Sequence, residues 1–411
     1  MRKYLGVTLG IMTAFGGFLD LGQIVFTAQA GAYFGYQLLW AIILGTAAII
    51  LYMEMCGRIA VVAHEPVFSV VRTNLGFGFG LFVLIASNLL NLITCAAELA
   101  GVAIVLNLLT GWPEKILLVA STLILGATVH VLRFQWIERI FGLSGLLMII
   151  FAVSTVVLHP DWSRFAWGLL PHLTNPSRKD ALLYGYYAVG IFSALLMVYE
   201  VHFYSSGAIE EDWTPSDLKE NFMVASFGSV LGSLLTVALM AVAVLVLLPR
   251  GIFPELLSTT ILAGAFPFGK KAIIITLLGT LACIAGAAVE TNLAGAYNLC
   301  QFFYLPWGKN LPVSEVPAYS AYWMGTLALA CVIALTGISP LDLVNVSIIF
   351  GMVIMPLTYY PILRVAADKN IMGKHVNSRS ITITGVIFLI AITVAAIAAI
   401  PLMIVTHGGK P

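Results

Sequence analysis

Four short stretches of this 411-residue chain place ionisable or metal-seeking side chains inside apolar runs. Phe15-Gly16-Gly17-Phe18-Leu19-Asp20-Leu21-Gly22-Gln23 sets a carboxylate and an amide among three glycines. Thr94-Cys95-Ala96-Ala97-Glu98-Leu99-Ala100-Gly101 sets a carboxylate among small residues that suit close helix packing. The run from Ser193 to Tyr204 carries the thioether of Met197, the carboxylate of Glu200 and the imidazole of His202. Glu290 follows beside Asn292. A charge at the centre of a bilayer costs at least ~2.5–3.5 kcal/mol, so each such residue is a functional candidate by default. Carboxylates, amides and a thioether in such places are donors for a cation or carriers of a proton. Plain structural readings stand beside this one. Glu98 and Glu290 could be carboxylates hydrogen-bonded between helices, Met197 core filling, and His202 a residue near a membrane face ahead of Glu210-Glu211-Asp212. Asp20 resists such a reading, because a carboxylate in a glycine-interrupted helix has little to do with packing.

Such residues need a scaffold that crosses lipid, and composition supplies it. Hydrophobic residues make up 60% of the chain and charged ones 9%, with a mean hydropathy of +1.01, whereas soluble domains carry about 25% charge. A hydrocarbon core of about 30 Å needs about 20 apolar residues per helix. Runs of that order fall at 5–27, 33–54, 79–109, 113–131, 137–158, 181–206, 221–248, 270–303, 318–336, 341–363 and 381–405, predicting an all-α polytopic membrane protein of about eleven transmembrane helices. The longest expected loops, 55–78, 159–180 and 207–220, are too short for a soluble domain. Met1-Arg2-Lys3 and the apolar run after it are read as the first span, since no cleavage site follows.

Of the 20 Lys and Arg, twelve fall on the side of Arg2, Lys3, Arg58 and Arg72, and eight on the side of Lys115, Arg164 and Arg250. This bias puts the N-terminus in the cytoplasm and the C-terminus outside a plasma membrane. The net charge of +1 gives no reason to expect a nucleic-acid partner. Cys56, Cys95, Cys283, Cys300 and Cys331 have no metal-finger spacing. No nucleophile–base arrangement or zinc signature is present, which argues against an enzyme. Nothing in the chain reads on oligomeric state.

The interruptions also recur. The first and sixth spans each open a set of five, which predicts a 5+5 inverted repeat, residues 1–158 and 181–363, with broken helices 1 and 6 and an additional helix at 381–405. Broken helices at matching places of such a repeat mark a midplane binding site, where unwound carbonyls and free helix ends add to the side chains.

Several stretches resemble the Nramp divalent-metal transporters. Leu19-Asp20-Leu21-Gly22-Gln23 with Phe34-Gly35-Tyr36-Gln37-Leu38-Leu39-Trp40 is similar to that family's Asp-Pro-Gly-Asn region and its Phe-Gly-Tyr-x-Leu-Leu-Trp continuation. Ala97-Glu98-Leu99-Ala100-Gly101, Ile137-Glu138-Arg139, Met355-Pro356 and Ala367-Asp368-Lys369-Asn370-Ile371-Met372-Gly373 resemble other segments of it, in order. The resemblance implies a LeuT-like fold and a secondary active transporter of manganese or iron working by alternating access. It implies metal held by Asp20, Gln23, Met197 and the Ala194 carbonyl, with Glu98 in the proton pathway. The ion is then substrate and no resident cofactor is expected.

The departures from the family fall at the site. Gln23 replaces Asn, Leu21 replaces Pro, Tyr199 stands where the family has His, Cys95 replaces an acid, Ile348 a glutamine, and no arginine lies in the ninth span. Glu200 adds a carboxylate next to Tyr199. Thioether sulfur favours transition ions, while an added carboxylate favours a harder ion, so magnesium is the alternative substrate. An ion-coupled symporter of a small organic solute on the same fold is a further reading, in which Asp20 and Glu200 would receive an amine or the coupling ion.

Overall fold

The computed structural model describes residues 19–174 and 177–409. The first-span residues 5–18, the Arg2 and Lys3 of the orientation argument, and Lys410 lie outside them. The described chain is almost wholly helical. The helices are α1 (Leu21–Phe34), α2 (Leu39–Ala63), α3 (Val67–Thr110) and α4 (Glu114–Val131). They continue with α5 (Phe134–Gly145), α6 (Ile149–Val157), α7 (Trp162–Trp167), α8 (Arg178–Ala194) and α9 (Val198–Glu210). The rest are α10 (Leu218–Val242), α11 (Leu257–Ala263), α12 (Lys270–Phe303), α13 (Pro317–Leu335), α14 (Pro340–Ala366), α15 (Lys369–Met372) and α16 (Arg379–Val405).

Ten stretches among the described residues are long and apolar enough to cross a membrane, against the eleven expected. The first of the ten, Leu21–Ala63, joins α1 and α2 across a tight 3-10 turn at Gly35–Leu38, and residues 5–18 of the expected first span lie outside the described residues. At 14 residues, α1 is about 21 Å long and cannot span hydrocarbon by itself. The expected loop at 55–78 is largely helix: α2 runs to Ala63 and α3 starts at Val67, bending at Gly76, whose φ of 77° only glycine adopts cheaply. Arg58 is accordingly buried on α2, where it pairs with Glu54 at 2.8 Å. The loops at 159–180 and 249–269 carry the short helices α7 and α11, which hydropathy alone did not separate from loop.

The sixth span breaks where expected. α8 ends at Ala194 and α9 begins at Val198, with Met197 extended at φ −57° and ψ 128°. α1, α3, α8, α9, α10, α12 and α14 pack around these two helix ends. α16 stays on the outside, its Ile387, Ile390, Val394 and Ile397 turned outward, as suits a helix bathed in lipid tails.

Past the end of α9, Glu211 is mostly buried, and Trp213 Nε1 donates to its Oε2 at 3.1 Å. Burial pushes this carboxyl up from 4.5 to about 6, against the hydrogen bond from Trp213 that holds it down. The folded state therefore favours protonated Glu211, and the contribution is complete below 4.5 and lost as pH rises through about 6. The thermal midpoint of the purified protein is expected to fall across that window, and Glu211→Gln to flatten the fall; identical pH profiles would contradict this assignment.

Candidate cation site

Two helix ends meet in the interior, and their unpaired backbone groups decide what surrounds them. α1 begins in apolar surroundings, so its first N–H groups need acceptors. Asp20 is its N-cap, and its Oδ1 accepts from Gln23 N at 2.7 Å. Glu98 of α3 reaches across, its Oε1 accepting from Leu21 N at 2.9 Å. The positive end of the α1 dipole thus faces two carboxylates, both essentially inaccessible to solvent. Close approach of α14 above this turn requires Gly22, since a Cβ there would overlap Ile348.

The break between α8 and α9 leaves carbonyls without helical partners. Tyr359 OH, from α14, donates to Leu196 O at 2.8 Å, and Ser193 Oγ donates to Ile348 O at 2.6 Å. Ala194 O accepts from Gln23 Nε2 at 3.0 Å. Thr236 of α10 holds the other end of that amide, its Oγ1 donating to Gln23 Oε1 at 3.3 Å. Tyr199 OH, on the first turn of α9, donates to Asp20 Oδ2 at 2.9 Å. Carboxylate, amide, backbone carbonyl and phenol therefore form one connected set spanning both breaks.

The structure joins Asp20, Gln23, Ala194, Tyr199 and Glu98 by direct contacts. Met197 lies at the same break, fully buried, its sulfur packed against Gly351 of α14. Glu200 follows on α9, buried with neither carboxylate oxygen hydrogen-bonded, and Glu290 on α12 is buried with Oε2 unpaired. His202, two residues past Glu200 on α9, is buried, its ring edge-on to Phe68 at 4.8 Å. Thr236 and Tyr359 were not anticipated, because a single hydroxyl in an apolar span carries no pattern to distinguish it.

Among the described residues no three His, Cys, Asp or Glu side chains are grouped to hold a metal ion. A cation at Asp20 would therefore take one carboxylate and mostly neutral donors, a partly hydrated shell of mixed hardness. The place is closed toward the ends of α1 and α8, where Phe26 fills the notch at Gly190 and lies 5.6 Å and 6.0 Å from the Tyr186 and Tyr187 rings. A cavity of about 870 Å³ on that side is lined by Tyr33, Tyr36, Asp161, Arg164 and Trp167, with neither Asp20 nor Met197 in its wall.

Comparison with known proteins fixes the family. The model of the Nramp family, natural resistance-associated macrophage protein-like, matches residues 10–401. The chain belongs to the Nramp family. Relatives of this Nramp chain include the divalent metal cation transporter MntH of Agrobacterium fabrum, 24% identical and covering 93% of this chain and 83% of that protein. MntH of Deinococcus radiodurans is also 24% identical, covering 92% and 85%. The fold matches a manganese transporter of Eremococcus coleocola at TM-score 0.73 and 20% identity, covering 100% of this chain and 89% of that one. It also matches Mhp1, a nucleobase–cation symporter, at TM-score 0.59 and 15% identity over 98% and 92%. The architecture is thus LeuT-like, as the Nramp resemblance implied.

Because Gln23 donates to the Ala194 carbonyl, Gln23→Leu leaves that buried carbonyl unpaired, while Thr236 Oγ1 keeps Gly232 O. We expect a loss of about 1–3 kcal/mol, read as a lowered thermal midpoint in detergent. An unchanged midpoint would show that the amide clasp contributes nothing.

Proposed function

We propose that the chain is a secondary active transporter that carries a divalent transition-metal cation by alternating access around the breaks at Asp20 and at Leu195–Met197. The observation that carries this reading is the convergence of the Asp20 carboxylate, the Gln23 amide and the Ala194 carbonyl at two helix ends, next to Met197. Family membership and relatives named as divalent metal cation transporters support it. In this reading residues 1–158 and 181–363 are the two repeats that move against each other, and residues 381–405 add a peripheral helix.

The mechanism follows from the donors. In the structure described, Gln23 Nε2 occupies the Ala194 carbonyl and Tyr199 OH occupies Asp20 Oδ2. An arriving cation displaces both: the amide turns to offer its oxygen, and Asp20 supplies the countercharge. Met197 adds the one soft donor, which selects manganese or iron over magnesium. Organic-solute symport has no use for that thioether. Glu98 is the proton carrier of this reading. Its Oε2 is buried without a partner, while its Oε1 holds Leu21 N, so a change at Glu98 is felt at once at the start of α1. The expected setting is a multi-pass plasma-membrane protein with its N-terminus in the cytoplasm.

Uptake into proteoliposomes tests these assignments. Saturable manganese uptake is expected from the wild type and none from Asp20→Ala; wild-type rates in that variant would remove Asp20 from the site. Met197→Ala should weaken manganese uptake more than magnesium uptake, and equal losses would remove the sulfur argument. With an internal pH dye, uptake by the wild type should acidify the lumen and uptake by Glu98→Gln should not. Equal acidification in both would assign proton movement to another group.

A further inference from the structure

Four carboxylates stand around the two helix breaks: Asp20 on α1, Glu98 on α3, Glu200 on α9 and Glu290 on α12. All are at least nine-tenths buried, at 1%, 0%, 1% and 3% exposure. Asp20 and Glu98 have work to do for the fold, since both accept from the start of α1 and Asp20 also accepts from Tyr199. Glu200 has none: both its oxygens lack a hydrogen-bond partner, and so does Glu290 Oε2. α9 and α12 pack side by side, and the Glu200 and Glu290 carboxylates act electrostatically on each other and on Asp20.

The ion pairs among the described residues are Arg58 with Glu54 and Arg164 with Asp161, neither of which includes any of the four. A buried carboxylate without a partner is among the most costly groups a fold can hold. An ion held by Asp20, Gln23, Met197 and the Ala194 carbonyl uses neither Glu200 nor Glu290, and Glu200 Oε1 and Oε2 and Glu290 Oε2 stay without partners.

We propose that Glu200 and Glu290 hold a second cation, in a site between α9 and α12 separate from the one at Asp20 and Met197. Its side-chain donors are carboxylate oxygens, so it takes a hard cation of the magnesium or manganese class, without the sulfur that marks the first site. This inference rests on the proposed reading of the chain as a cation transporter and adds to it a second, harder stop beside the first.

The test counts bound ions. Purified full-length protein in nanodiscs is titrated with Mn2+, free Mn2+ being read from its six-line electron paramagnetic resonance signal, with and without excess Mg2+. Wild type should bind two Mn2+ per chain, one of them displaced by Mg2+. The Glu200→Gln, Glu290→Gln double variant should bind one, resistant to Mg2+. Asp20→Asn with Met197→Ala should retain the Mg2+-sensitive ion alone. Glu200→Asp, which keeps the charge, should restore the second ion and separates loss of a ligand from loss of the fold. One Mn2+ per chain in both wild type and the double variant would overturn the second site while leaving the first. No binding by the wild type would overturn both this inference and the transport reading.

Discussion

A helix that starts inside a membrane must find acceptors for its first N–H groups, and lipid offers none. The start of α1 meets this demand with two carboxylates, Asp20 from its own cap and Glu98 from α3. Much of the arrangement follows from that one requirement. Carboxylates placed for capping are also carboxylates available to a cation, and the helix dipole favours negative charge there without a buried Lys or Arg. The same residues thus hold the break open as a structure and furnish it as a binding place.

The second break is solved with neutral groups. Tyr359 and Gln23 satisfy carbonyls that the end of α8 leaves behind, and Thr236 steadies the amide. A hydrogen bond from an amide to a carbonyl can be exchanged for a cation at little net cost, because each partner keeps an interaction either way. Tyr199 plays the corresponding part for Asp20. Such exchangeable contacts suit a protein that must close over its substrate and then release it. Glu200 is the exception, since neither of its carboxylate oxygens has a hydrogen-bond partner to exchange.

How much of this is legible in the sequence depends on the signal each feature leaves. Asp20 among glycines and Met197 within a polar interruption stand out because charge and glycine are rare inside apolar runs, and the structure places Asp20 at the start of α1 and Met197 at the break between α8 and α9. The spans are legible from hydropathy, with an error where periodicity is silent: α3 extends back through residues 67–78 because a polar helix end looks like a loop. The packing of the His202 ring on Phe68 is a contact between helices that leaves no signal in the sequence. Thr236, Tyr359 and the crossing of Glu98 to Leu21 depend on which helices touch, which one sequence does not contain.

The central claim is that a cation sits at the two breaks with Met197 as a ligand. X-ray absorption at the manganese edge tests it most directly, on protein loaded with Mn2+ in the presence of excess Mg2+. The account predicts sulfur in the first coordination shell of the wild type and its disappearance in Met197→Ala. A first shell of oxygen and nitrogen alone in the wild type would contradict it.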